Sequence, residues 1–216
     1  MRQDSLPERI GTKKGVMNES QLRELREAKQ RLERTLAASD SRKTLLQAWS
    51  LFIRQRDGWR CVPCNARKKL SAHHICRKSF LPEAQFQTGN GITLCPVCHG
   101  EFHRGFNGRP DMNLPMDAQG GEKLETLSWL YGALEASARS QGILGDEFYY
   151  LGDLTLRAFR RFQGYGEETS FRGCRLEQAN LIWRVAPLDV VNAILRANGI
   201  EKRSEPFLPG ITVIYD

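Results

Sequence analysis

Two Cys-x2-Cys pairs constrain this chain more than any other feature of its sequence. Cys61-Val62-Pro63-Cys64 and Cys95-Pro96-Val97-Cys98 each offer two sulfurs from a tight turn, at the separation a tetrahedral Zn²⁺ accepts. Four thiolates on one ion would hold residue 61 beside residue 98 and do part of the work of an apolar core. The competing use of such cysteines, a disulfide framework, belongs to exported chains, and the first 15 residues lack the apolar run of an export signal. The quartet is therefore expected to hold a structural Zn²⁺. Cys76 and Cys174 are left over as ordinary buried thiols.

The chain has only four histidines, and His73, His74, His99 and His103 all fall inside the segment that the cysteine pairs frame. Neighbouring residues on a strand point to opposite faces, so His73 and His74 are expected to diverge. His99 and His103 are four residues apart, so on a helix their imidazoles share one face. Asn90, between Gly89 and Gly91, reads locally as a turn residue.

Charge separates the two halves. Residues 1–104 carry 20 Lys and Arg against 10 Asp and Glu, residues 105–216 carry 12 against 15, and the whole chain is +7. An excess of cations confined to one half points that half to a polyanion, most simply nucleic acid. No stretch approaches the roughly 20 apolar residues of a membrane helix, so no membrane partner and a cytoplasmic location are expected.

Periodicity places the rest on a mostly helical α+β frame. A helix is predicted from Asn18, with Leu22, Leu25, Leu32 and Leu36 as its apolar stripe and a homodimer as the alternative use of that stripe. A second follows a cap in Ser39-Asp40-Ser41 and runs to Arg56, before a turn at Asp57-Gly58. Residues 1–50 then read as a basic helical extension, 51–105 as the Cys/His domain, 106–120 as a linker within the Gly-rich stretch 105–121, and 121–216 as a mostly helical domain. In that last part helices are predicted over Leu124–Ala138 with a stop at Gly142, over Asp146–Phe162 with a stop at Gly164, over Arg175–Val185 and over Leu188–Ala197, and a strand over Ile211–Tyr215. There is no internal repeat, and the second half holds no catalytic motif. Its sequence therefore assigns it no role, and an assembly or interaction protein that binds a partner through this half is an alternative reading of the chain.

The ordered set Arg56-Asp57-Gly58-Trp59-Arg60-Cys61-x2-Cys64, His73-His74-Ile75 and Asn90-Gly91-Ile92-Thr93-Leu94-Cys95-x2-Cys98-His99-x3-His103 resembles the HNH endonuclease family, with its ββα-metal fold. The resemblance covers about residues 54–104, and the wider chain looks like an HNH protein of phage or prophage type. It implies a DNA endonuclease that leaves 5′-phosphate and 3′-hydroxyl ends. By position, His74 is implied as the general base, and His73 and His99 as ligands of one catalytic divalent ion, Mg²⁺, Mn²⁺, Ni²⁺ or Zn²⁺. His103 is implied as a further ligand or phosphate contact, and Asn90 as the residue that braces the loop and orients the base. The cysteine zinc would clamp the strand pair to the helix carrying His99. Arg67, Lys68, Lys69, Arg77, Lys78 and Arg104 then surround the expected scissile phosphate as nucleic-acid contacts. One departure stands out: where many family members carry Gly-Gly, this chain has Phe80-Leu81-Pro82-Glu83-Ala84.

Overall fold

The computed structural model describes residues 15–38, 40–79, 81–103, 124–166, 168–184, 199, 203–208 and 211–215. Among these the protein is mostly helical, with six α-helices and two separate two-stranded sheets. The lead-in before residue 15, the expected linker, Phe80, Arg104 and the predicted helix Leu188–Ala197 lie outside the described residues, as does the side chain of His103.

Helix α1 (Glu19–Ala37) begins where its caps dictate. Asn18 accepts from the Gln21 amide at 2.9 Å while Gln21 Oε1 accepts from the Asn18 amide at 3.0 Å, a reciprocal capping box. Leu25, Ala28 and Leu32 recur along one face and are buried, with Leu22 and Leu36 half-buried beside them. This stripe is used inside the chain, packed on α2 (Arg42–Arg56). Ser41 starts α2 by accepting from the Thr44 amide. The expected division at residue 51 falls inside this helix, whose buried face (Trp49, Phe52, Ile53, Arg56) lies on the first sheet.

That sheet pairs β1 (Ser71–His74) antiparallel with β2 (Gly91–Leu94), His73 opposite Ile92 and His74 opposite Gly91. Helix α3 (Pro96–His103) follows β2 directly, after Cys95. Between the strands Leu81 and Ala84 are buried, with short 3₁₀ turns at Pro82–Ala84 and Thr88–Asn90.

Helix α4 (Leu124–Gln141) packs on α6 (Arg175–Arg184), and α5 (Asp153–Phe162) completes the group through a ladder of rings, Tyr131 to Phe159 to Trp183. Gly142 and Gly164 adopt φ of +70° and +73°, as expected of residues that end helices. The predicted helix from Asp146 is corrected: α5 starts only at Asp153. The preceding residues are held by residues 87–89 instead. The Gly89 amide donates to Tyr150 O at 2.8 Å, the Tyr150 amide to Thr88 Oγ1 at 2.9 Å and the Gly152 amide to Gln87 Oε1 at 2.8 Å. A Cβ at Gly89 would lie 2.6 Å from Leu151 Cγ, so the two segments meet only because Gly89 has none. The predicted strand Ile211–Tyr215 is β4, paired antiparallel with β3 (Arg203–Leu208), which the sequence did not announce.

Candidate metal centre and histidine cluster

The four cysteines converge. All four sulfurs of Cys61, Cys64, Cys95 and Cys98 lie within 4.8 Å of one another, and Cys64 Sγ is 3.6 Å from Cys95 Sγ. Four sulfurs at about 2.3 Å from a tetrahedral Zn²⁺ stand about 3.8 Å apart, so the cluster fits that ion with a small contraction. Among the described residues this is the group of three or more metal-ligating side chains that comes together.

Each pair is shaped by its own turn. The Asn65 amide donates to Cys61 O and the Cys61 amide to Ala66 O, both at 2.8 Å, and Asn65 takes a positive φ of 62° to make the reversal. The second pair straddles the start of α3, where Pro96 occupies a position that needs no amide. The Val62 amide donates to Thr93 O at 2.9 Å and ties the first turn to β2. Burial raises the Cys61 thiol to about 12, and burial with neighbouring thiols raises Cys98 as well. Burial also acts against ionisation of Cys95, but donation from the Cys98 amide and the surrounding thiols outweighs it and lowers Cys95. A cation at the centre is what would ionise the whole set. Of the two remaining cysteines, Cys76 is buried as expected and Cys174 is only half-buried.

The histidines of β1 diverge. His73 faces α3, its ring centroid 5.0 Å from that of His99 in an edge-to-face arrangement. His74 faces α2, its ring stacked on Trp49 at 4.1 Å and 7° from parallel. The stack exists because His74 is paired with Gly91: a Cβ there would sit 2.6 Å from both Trp49 Cζ2 and Ile53 Cδ1. Trp49 is anchored in turn by its Nε1, which donates to Gln87 O at 3.3 Å.

The chemistry of His74 follows from its second contact. Nε2 lies 2.9 Å from Gln85 O, and a carbonyl only accepts, so Nε2 carries the proton. Burial lowers the His74 pKa; the bond to Gln85 opposes this and the ammonium of Lys78 reinforces it. A neutral ring with its proton on Nε2 keeps the lone pair on Nδ1. That is the tautomer of a poised base.

Asn90 is fully buried and its amide is used at both ends. Oδ1 accepts from the Cys76 amide at 2.8 Å and from Tyr131 Oη at 3.4 Å; Nδ2 donates to Cys76 O at 2.9 Å and Ala84 O at 3.1 Å. It thereby fixes the backbone immediately after β1 and the residue immediately before Gln85, whose carbonyl orients His74. A buried ion pair braces the other strand. Arg56 Nε meets Asp57 Oδ1 at 2.9 Å, Arg56 Nη2 donates to Gly91 O at 2.7 Å, Asp57 Oδ2 accepts from the Thr93 amide at 2.8 Å, and the guanidinium lies 4.2 Å over the Tyr149 ring.

Of the expected nucleic-acid contacts, Arg67, Lys68, Lys69 and Lys78 are exposed and Arg77 is half-buried. Arg67 lies near Arg60, whose guanidinium pKa is lowered by burial first and by Arg67 second. Sequence reasoning missed Trp49, Gln85, Tyr131 and the structural use of Arg56 and Asp57. Only the position of Gly91, at the strand end opposite a histidine, hinted that something packs over His74. Compared with models of known protein families, with curated proteins and with solved structures, the chain gives no significant match.

Proposed function

We propose that the protein is a metal-dependent endonuclease of HNH type, its ββα-metal unit formed by β1, β2 and α3, that hydrolyses DNA phosphodiester bonds. The observation that carries this reading is the state of His74: neutral, protonated on Nε2 by its bond to Gln85 O, and held flat against Trp49 with Nδ1 left to accept a proton. In-line attack on a phosphodiester needs a base on the side of the attacking water and positive charge at the phosphoryl and leaving oxygens. His74 takes the water's proton. His73 and His99, on the other face of β1, are the imidazoles that would hold a divalent ion. Such an ion supplies the positive charge. Asn90 and Trp49 do not touch the reacting atoms; they keep His74 in register. The cysteine cluster serves as a separate, structural zinc site.

The test is plasmid cleavage by purified protein with Mg²⁺, Mn²⁺ or Ni²⁺, beside His74→Ala and His73→Ala. Wild type should nick or linearise the plasmid, His74→Ala should bind the ion and not cut, and His73→Ala should bind it more weakly. Equal cutting by wild type and His74→Ala, or none with any metal, would overturn the assignment. The second outcome would favour a zinc-stabilised nucleic-acid-binding module, which needs the cysteine cluster but not the histidines.

A further inference from the structure

Helix α2 breaks two local rules on its outer face. Arg42 and Lys43 occupy its first turn, which contains no acidic residue, although the positive end of a helix disfavours cations there. Its 15 residues include four cations and not one carboxylate, whereas α1 mixes four Glu with five Lys and Arg. One of the four, Arg56, is buried and paired with Asp57. The other three, Arg42, Lys43 and Arg54, line an open groove with Gln47 and Ser50, and Lys78 joins them from the loop after β1. Sequences that depart from local stability rules without compensation do so mostly where function needs it.

The groove reaches the histidine site. Arg42 Nη2 donates to Gln85 Oε1 at 3.1 Å, and the carbonyl of the same Gln85 holds His74. From Arg42 to Arg54 the helix rises about 18 Å. That is about five base-pair steps at 3.4 Å each, so the cations can follow one strand's phosphates over about half a turn of duplex. At the far end Arg54 lies 5.2 Å over the ring of Trp59, an exposed aromatic held at a φ of 52°.

We infer that this face of α2, with Lys78, is the track that seats the sugar-phosphate backbone of duplex DNA and leads it to His74. The inference rests on the endonuclease reading for its choice of DNA. Its chemistry is charge complementarity without base readout, so it predicts salt-sensitive, sequence-tolerant binding.

The experiment is a fluorescence-anisotropy titration of a labelled 20-base-pair DNA with the full chain, at several salt concentrations and without added divalent ion. Arg42→Gln/Lys43→Gln and Arg54→Gln/Lys78→Gln should each raise Kd about 10-fold near 0.1 M salt and reduce the slope of log K against log salt by about 2. A charge-matched pair on α1, Arg23→Gln/Arg31→Gln, should change neither. The Arg42/Lys43 variant loses the Arg42 bond to Gln85 Oε1 but relieves an unfavourable helix end, so its melting temperature should stay within a few degrees of wild type and the binding loss reads as lost charge. Unchanged slopes, an equal loss in the α1 pair, or tighter binding of the matching RNA duplex would overturn the assignment. Because no cleavage is involved, groove-dependent binding without plasmid cutting would sink the catalytic reading and leave the track standing.

Discussion

Asn90→Ala tests whether the loop between the two strands is held from inside or merely lies there. The substitution removes an amide that serves three backbone groups, Cys76 N, Cys76 O and Ala84 O, in residues that are fully buried. Each lost bond costs about 1 kcal/mol if a partner is regained and about 1–3 kcal/mol if the group is left dry. Three groups give about 3–9 kcal/mol, with water entry into the vacated space setting the lower end. With water admitted, and against a typical stability of about 5–15 kcal/mol, the variant should still fold at 25 °C, and its melting temperature should fall by about 6 °C or more. Urea unfolding with saturating zinc is the assay, since a shift of midpoint at constant slope isolates stability. Nitrogen-15 NMR of the His74 ring gives the second readout: wild type should show the proton on Nε2, and Asn90→Ala a mixture of tautomers, because the backbone beside Gln85 is released. A loss below about 1 kcal/mol with the tautomer intact would refute the argument.

Three further outcomes follow from the same contacts. Because burial places the His74 pKa below its ordinary 6.5, the acidic limb of a base-limited cleavage rate should have its midpoint below pH 6.5. The same shift contributes stability that is present above pH 6.5 and lost as pH falls through the folded value; a cleavage midpoint above pH 6.5 would contradict the lowered pKa. Stripping zinc with a strong chelator, or Cys61→Ser with Cys95→Ser, should unfold residues 61–103, because structural zinc contributes about 10–16 kcal/mol in small domains, as much as a typical total stability. An unchanged melting temperature and less than one zinc per chain would refute the metal centre. Gly91→Ala should cost about 1–3 kcal/mol, since its Cβ would meet Trp49 and Ile53 at 2.6 Å. Trp49 should then lift from His74, a change that tryptophan emission would report.

What the sequence could reveal was what local spacing controls. Asn18 and Ser41 mark helix starts because capping involves residues within one turn, and the cysteine pairs reveal their turns for the same reason. The divergence of His73 and His74 needs only the two-residue period of a strand. What it could not reveal depends on partners far along the chain. Tyr149 to Gly152 carries a helix-compatible sequence, yet is drawn out by hydrogen bonds to residues 87–89, more than 60 positions earlier. Trp49 over His74 requires α2, β1 and Gly91 to meet, and no periodicity encodes that meeting. The basic face of α2 was visible as composition only. Its position beside His74 emerges from Arg42 touching Gln85.

These long-range contacts share one physical cause. A two-stranded ribbon of four residue pairs is not stable by itself in water, and a strand that slips one residue exchanges the faces of His73 and His74. Register must therefore be imposed from outside. Arg56 and Asp57 fasten β2 through Gly91 O and the Thr93 amide, and Asn90 fastens the end of β1 through both polar groups of Cys76. The second half of the chain closes over both, Tyr149 beneath the Arg56 guanidinium and Tyr131 against Asn90 Oδ1. The helices after residue 124, which carry no catalytic motif, thus hold the strand register that sends the two histidines to opposite faces of β1.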